Sequence, residues 1–131
     1  MKRPRVLIGA AVLAAALAGS VVTVNLASAA TDVKVTASIK VTGTFDGGGK
    51  RYIGSGKLGS GGQAEGQDPL FDLAAGATLK NVVLGAPAAD GVHCAGSCKI
   101  TNVVWQDVGE DAATFRGNNA TVVIDGGSAA S

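Results

Sequence analysis

Leu79-Lys80-Asn81-Val82-Val83 recurs 21 residues later as Ile100-Thr101-Asn102-Val103-Val104, and a third apolar run, Val122-Val123-Ile124, begins 22 residues after Ile100. A steady offset near twenty residues marks a solenoid, in which a single coil cannot bury its apolar face and does so on its neighbours. Leucine-rich repeats share the period but need a Leu-x-x-Leu-x-Leu core, which Leu79-Lys80-Asn81-Val82 does not supply. A parallel β-helix fits better, with Asn81 and Asn102 stacked one above the other. The competing fold is a β-sandwich, but its strands alternate apolar and polar residues, and the paired valines do so poorly.

The rest of the chain agrees with an all-β reading. No segment beyond residue 30 places apolar residues at i, i+3, i+4 and i+7 over three turns. The β-branched runs are short: Val33–Ile39, Val41–Phe45, Leu79–Leu84, Ile100–Trp105 and Thr121–Ile124. Gly, Asp and Asn punctuate them, and glycine reaches 20 residues, as expected for many strands joined by turns.

The N-terminus has the layout of an export signal. Lys2, Arg3 and Arg5 precede an apolar stretch from Val6 to Leu26, and Ala27-Ser28-Ala29 offers a small-x-small cleavage site. The stretch is long enough to span a bilayer, but Gly9, Gly19, Ser20, Thr23 and Asn25 dilute it. A cleaved signal over residues 1–29 is therefore expected, with a secreted domain over 30–131 and no membrane attachment afterwards. Cleavage lowers Lys plus Arg from 11 to 8 against 10 acids, a net charge of −2. That argues against a nucleic-acid partner, which would call for a basic face.

Cys94 and Cys98 lie in a chain bound for an oxidising compartment, with Gly96 between them to allow unusual backbone angles. A small disulfide loop is expected, free thiols being the alternative. A structural zinc site is not, because His93 is the only histidine and two cysteines do not complete a tetrahedron.

The repeat also carries a chemical expectation. Asp90 and Asp111 are 21 residues apart, in phase with the strands, and Glu110 adjoins Asp111. Stacked coils would bring these acids to adjacent rungs, roughly 4.8 Å apart in backbone spacing. Two carboxylates at that distance repel by about 3 kcal/mol at an effective dielectric near 20. A hard cation offsets this, and Ca²⁺, taking 6–8 oxygens, suits a half-open site of Asp90, Glu110 and Asp111. As bare turn residues, the same acids would simply be solvated.

Longer motifs make the reading specific. Phe45-Asp46-Gly47-Gly48-Gly49-Lys50-Arg51-Tyr52, Gly61-Gly62-Gln63-Ala64-Glu65-Gly66-Gln67-Asp68-Pro69-Leu70-Phe71, Ala86-Pro87-Ala88-Ala89-Asp90-Gly91-Val92-His93-Cys94 and Asp107-Val108-Gly109-Glu110-Asp111-Ala112 resemble family 3 pectate lyases, from about Val41 to the end. The resemblance implies a right-handed parallel β-helix that cleaves polygalacturonate by Ca²⁺-dependent β-elimination, and a monomer is expected. It assigns the metal to Asp90, Glu110 and Asp111, and places Glu65 in the substrate cleft. A cation on the uronate carboxylate would stabilise the charge that develops as the neighbouring proton leaves. The family's base is a Lys or Arg near the metal, whose field lowers a lysine's pKa. His93 is then not needed as base and reads as a structural residue of a turn.

The family's catalytic base is expected beyond Ser131, in an Asp-Lys step followed by a further Lys and Arg, and the chain is expected to be the N-terminal portion of such an enzyme, of about five coils. Arg116, on the same coil as Glu110 and Asp111, could face substrate or simply end a strand before Gly117. The rival function is a calcium-dependent, non-catalytic pectin-binding module.

Overall fold

A computed structural model describes residues 32–60 and 66–130. The expected signal peptide, residues 1–29, lies outside the described residues, as does Glu65. Among the described residues the strands follow in order: β1 Asp32–Val35, β2 Ile39–Val41, β3 Thr44–Asp46, β4 Arg51–Gly54, β5 Phe71–Leu73, β6 Ala77–Leu84, β7 Val92–Cys94, β8 Cys98–Trp105, β9 Ala113–Phe115, β10 Val122–Asp125 and β11 Ser128–Ala129. A short 3₁₀ turn, Gly56–Leu58, interrupts them. Among the described residues, no helix is long and apolar enough to cross a membrane.

Every named strand pair is parallel. One sheet runs β9-β7-β5-β2, and the other runs β10-β8-β6-β4-β1, with β3 also on β6 and β11 also on β8. This is a parallel β-solenoid of about four turns. The 21-residue repeat is the register of its middle coils: Ala77 pairs with Cys98, Leu79 with Ile100, Phe71 with Val92 and Val92 with Ala113.

Outside those coils the period changes, which reduces five expected coils to about four. Ile39 pairs with Phe71 and Arg51 with Val83, offsets of 32, because residues 55–70, the 3₁₀ turn among them, separate β4 from β5. At the other end Ile124 pairs with Ile100, an offset of 24. The sequence alignment that set Val122 against Ile100 is therefore corrected by two residues. Extra residues in the Gly117–Ala120 turn cause the slip.

β6 and β8 are bent strands with an asparagine at the corner. Asn81 has φ 56° and Asn102 has φ 53°, the left-handed region that asparagine tolerates better than other side-chain-bearing residues. The extra step shifts the inward phase. Ala77 and Leu79 point in before the corner of β6, Val82 and Leu84 after it. Cys98 and Ile100, then Val103 and Trp105, repeat the pattern on β8.

The core is a set of like-on-like stacks. Leu79 lies over Ile100, Val82 over Val103 and Phe71 over Val92, all at most 1% exposed. Burying each such side chain contributes about 1.5–3 kcal/mol of transfer free energy. Phe45, Tyr52 and Phe71 close the N-terminal end, with ring centroids 5.2–5.9 Å apart and mostly edge-on. Cys94 and Cys98 are joined by a disulfide that ties β7 to β8 within one coil, and both are buried.

Candidate functional site

The outward face of the four-stranded sheet carries the polar chemistry. Strand alternation turns Phe71, Leu73, Val92 and Cys94 inward, so the middle residue of each strand faces out. Parallel register then lines up Lys40, Asp72, His93 and Thr114 across β2, β5, β7 and β9. Lys40 Nζ donates to Asp72 Oδ2 at 2.8 Å, and this bond holds the ammonium pKa above its ordinary value. Both side chains are solvated, so the pair adds little to stability.

Beside this row the chain turns sharply before β7. Gly91 N–H donates to Ala88 O at 2.9 Å, and Ala89 and Gly91 both have positive φ. Asp90 N–H donates back to Asp68 O of the preceding coil at 3.3 Å, while Val92 N–H donates forward to Ala112 O at 3.2 Å. The turn is thus clamped between the coils on either side. Gly91 and Gly109 permit the close approach: a side chain on Gly91 would strike the carbonyls of Asp111 and Ala112, and one on Gly109 would strike that of Ala89.

Asp90 is the one charged residue in the buried set among the described residues, at 9% exposure. Its Oδ2 lies 2.5 Å from His93 Nε2. Its Oδ1 is buried and has no hydrogen-bond partner. A buried carboxylate oxygen without a partner costs the full desolvation of that atom, which a bound cation or donor would offset.

Asp90 and His93 open onto a groove of about 600 Å³, lined also by Lys40, Lys57, Asp72 and Arg116. With Asp68 also on its lining, it combines three cations with three carboxylates and an imidazole. Arg116 is fixed by its backbone, whose N–H donates to Cys94 O at 3.0 Å, and its residue is exposed.

Of the expected metal acids, Asp90 lies in the groove. Glu110 and Asp111 sit on the next turn, whose backbone packs against that of residues 89–91, and Trp105 Nε1 donates to Ala112 O at 2.7 Å to hold that turn. Asp111 is exposed and Glu110 half-buried. Among the described residues, no three His, Cys, Asp or Glu side chains converge into a group that would hold a metal ion. The fit to a cation therefore rests on the orphaned Asp90 Oδ1, a carboxylate oxygen of the kind that Ca²⁺ prefers.

Two features of the groove escaped sequence reasoning. Lys40 and Asp72 are 32 residues apart, so a search at period 21 does not pair them. His93, expected in a turn, lies within strand β7 and projects into the groove beside Asp90.

Comparison with known proteins identifies the family. The family described as pectate lyase matches residues 23–131. "Probable pectate lyase E" of Neosartorya fischeri is 52% identical over 91 residues, 66% of this chain and 35% of that protein. "Pectate lyase E" of Emericella nidulans is 50% identical over 91 residues, with the same coverage. "Probable pectate lyase D" of Emericella nidulans is 46% identical over 97 residues, 72% of this chain and 36% of that protein. This chain spans about a third of the length of the curated relatives it matches. With a family match over most of its length and a parallel β-solenoid beneath it, the chain belongs to the pectate lyase family.

Proposed function

We propose that this chain forms the calcium-binding and substrate-facing part of a secreted lyase that cleaves polygalacturonate by β-elimination. The observation that carries the reading is the buried Asp90 carboxylate, one oxygen unpartnered, at the edge of a groove lined by Lys40, Lys57 and Arg116. Asp90, Glu110 and Asp111 would hold Ca²⁺, which when bound supplies positive charge beside the uronate carboxylate.

The groove's own cations serve the polymer. Lys40, Lys57 and Arg116 offer ammonium and guanidinium donors to successive uronate carboxylates, and the planar guanidinium of Arg116 can take a carboxylate bidentately. In the elimination, the proton on the carbon beside the carboxylate passes to a base. The electron pair of that C–H bond forms a carbon–carbon double bond, and the 4-linked oxygen departs. The family resemblance gives the base role to a Lys or Arg, and Arg116, on the coil of Glu110 and Asp111, is proposed as a substrate-facing residue rather than as that base. Glu65 is proposed as a further cleft residue.

Titration with Ca²⁺ by calorimetry, together with retention on immobilised polygalacturonate, tests the reading. Binding that Asp90→Ala and Asp111→Ala both remove, and retention that a chelator reverses, are expected. If both variants bind Ca²⁺ like the parent, the metal assignment falls. Chelator-sensitive unsaturated product, followed by ultraviolet absorbance, identifies the lyase; calcium-dependent retention without product identifies a pectin-binding module.

A further inference from the structure

We infer that His93 is a positioning residue: its Nε2–H fixes Oδ2 of Asp90 and so presents Oδ1 to the divalent cation. The inference rests on the calcium reading above and goes beyond it, to what holds the ligand. For Asp90 to serve a cation it must be the carboxylate, which only accepts hydrogen bonds, and in that state the 2.5 Å contact is a donation from Nε2–H. Both side chains are 13% exposed, and little water is available to replace that bond.

His93 itself has little freedom. It is the central residue of β7, paired with Asp72 on one side and Thr114 on the other. The turn carrying Asp90 is likewise clamped, by Asp68 O behind it and by the Ala112 carbonyl next to Gly91. With one carboxylate oxygen tied to a strand, rotation of the group about its last bond is restrained. The oxygen left over is the buried, unpartnered Oδ1. A carboxylate held this way meets a cation without first losing rotational freedom. Outer groups that fix a ligating side chain typically contribute 10–100-fold to metal affinity.

The test uses Ca²⁺ alone, titrated by calorimetry into the full chain and into His93→Gln and His93→Phe. Glutamine carries a terminal N–H₂ with a reach similar to Nε2, whereas phenylalanine fills the space without a donor. His93→Phe is expected to weaken Ca²⁺ binding about 10–100-fold, and His93→Gln to stay within about threefold of the parent. Terbium luminescence should rank the three proteins in the same order. If the phenylalanine variant does not fold, His93→Asn, whose amide is too short to reach, takes its place. Equal Ca²⁺ affinity in the parent and the donor-less variant would overturn the positioning role and leave the calcium reading intact, as would equal losses in the glutamine and phenylalanine variants. A parent that binds no Ca²⁺ would overturn both.

Discussion

Asn102 Nδ2 donates to Asn81 Oδ1 at 2.9 Å, directly along the solenoid axis. Asn81 Nδ2 passes the pattern on to Asp46 Oδ1 at 3.0 Å, so three coils share one side-chain ladder at the corner where β6 and β8 bend. The ladder sets register in a fold whose apolar stacks would tolerate slippage. Replacing Asn81 by alanine removes both bonds and leaves an ordinary side chain at φ 56°. About 2 kcal/mol of destabilisation is expected, from two partly solvated hydrogen bonds and the left-handed backbone. Asn81→Gly, free of the backbone cost, should lose about half as much. Urea unfolding of the three proteins gives the order, and equal losses for the two variants would show that the corner is unstrained.

The foot of that ladder makes stability depend on pH. The N–H of Gly48, and then Asn81 Nδ2, hold the Asp46 carboxyl below the usual carboxylate range of 3.8. A group with a depressed folded pKa adds stability that is complete above its unfolded pKa and lost as pH falls through the folded one. Parent and Asp46→Asn should therefore differ in urea midpoint above pH 3.8 and converge below it. Asp32, whose carboxyl Arg51 holds down through bonds of 2.7 and 3.1 Å, titrates in both proteins and cancels in the comparison. A gap that stays constant from about pH 6 to about pH 2 would remove Asp46 as the source.

These corners also explain what the sequence did and did not disclose. The repeat was legible because the coils from Phe71 to Phe115 share one length. It blurred at Ile39 and Ile124, where loops of other lengths intervene. The adjacent valines, which spoil simple alternation, are a phase shift: Asn81 and Asn102 each add one left-handed residue, and Val82 and Val103 resume the inward face. In the site, Asp90 and Asp111 stood out because they keep the period. Lys40 and Asp72 did not, since the longer segment before β5 sets them 32 residues apart on adjacent rungs. His93 was misread because a turn marked by Asp90-Gly91 ends sooner than its composition suggests, and the strand begins at Val92.

The ladder can be extended, and two neighbouring glycines should answer with opposite signs. Asp125 pairs with Thr101, which sets Gly126 over Asn102 as the next rung. Gly126 has φ 72°, close to the corner asparagines, and an added Cβ would lie 3.9 Å from the nearest atoms of Asn102. Asparagine there can adopt the conformation, donate Nδ2 to Asn102 Oδ1 and restrict the unfolded chain. Gly126→Asn is expected to stabilise by about 0.5–1 kcal/mol. Gly127, also at positive φ, is different, because its Cβ would collide with the carbonyl of Val103. That oxygen belongs to the backbone of β8 and cannot swing aside, so Gly127→Asn should destabilise by roughly 2 kcal/mol or more. Urea midpoints of the two variants decide the matter: a loss at Gly126 as large as that at Gly127 would mean that the asparagine stack ends at Asn102.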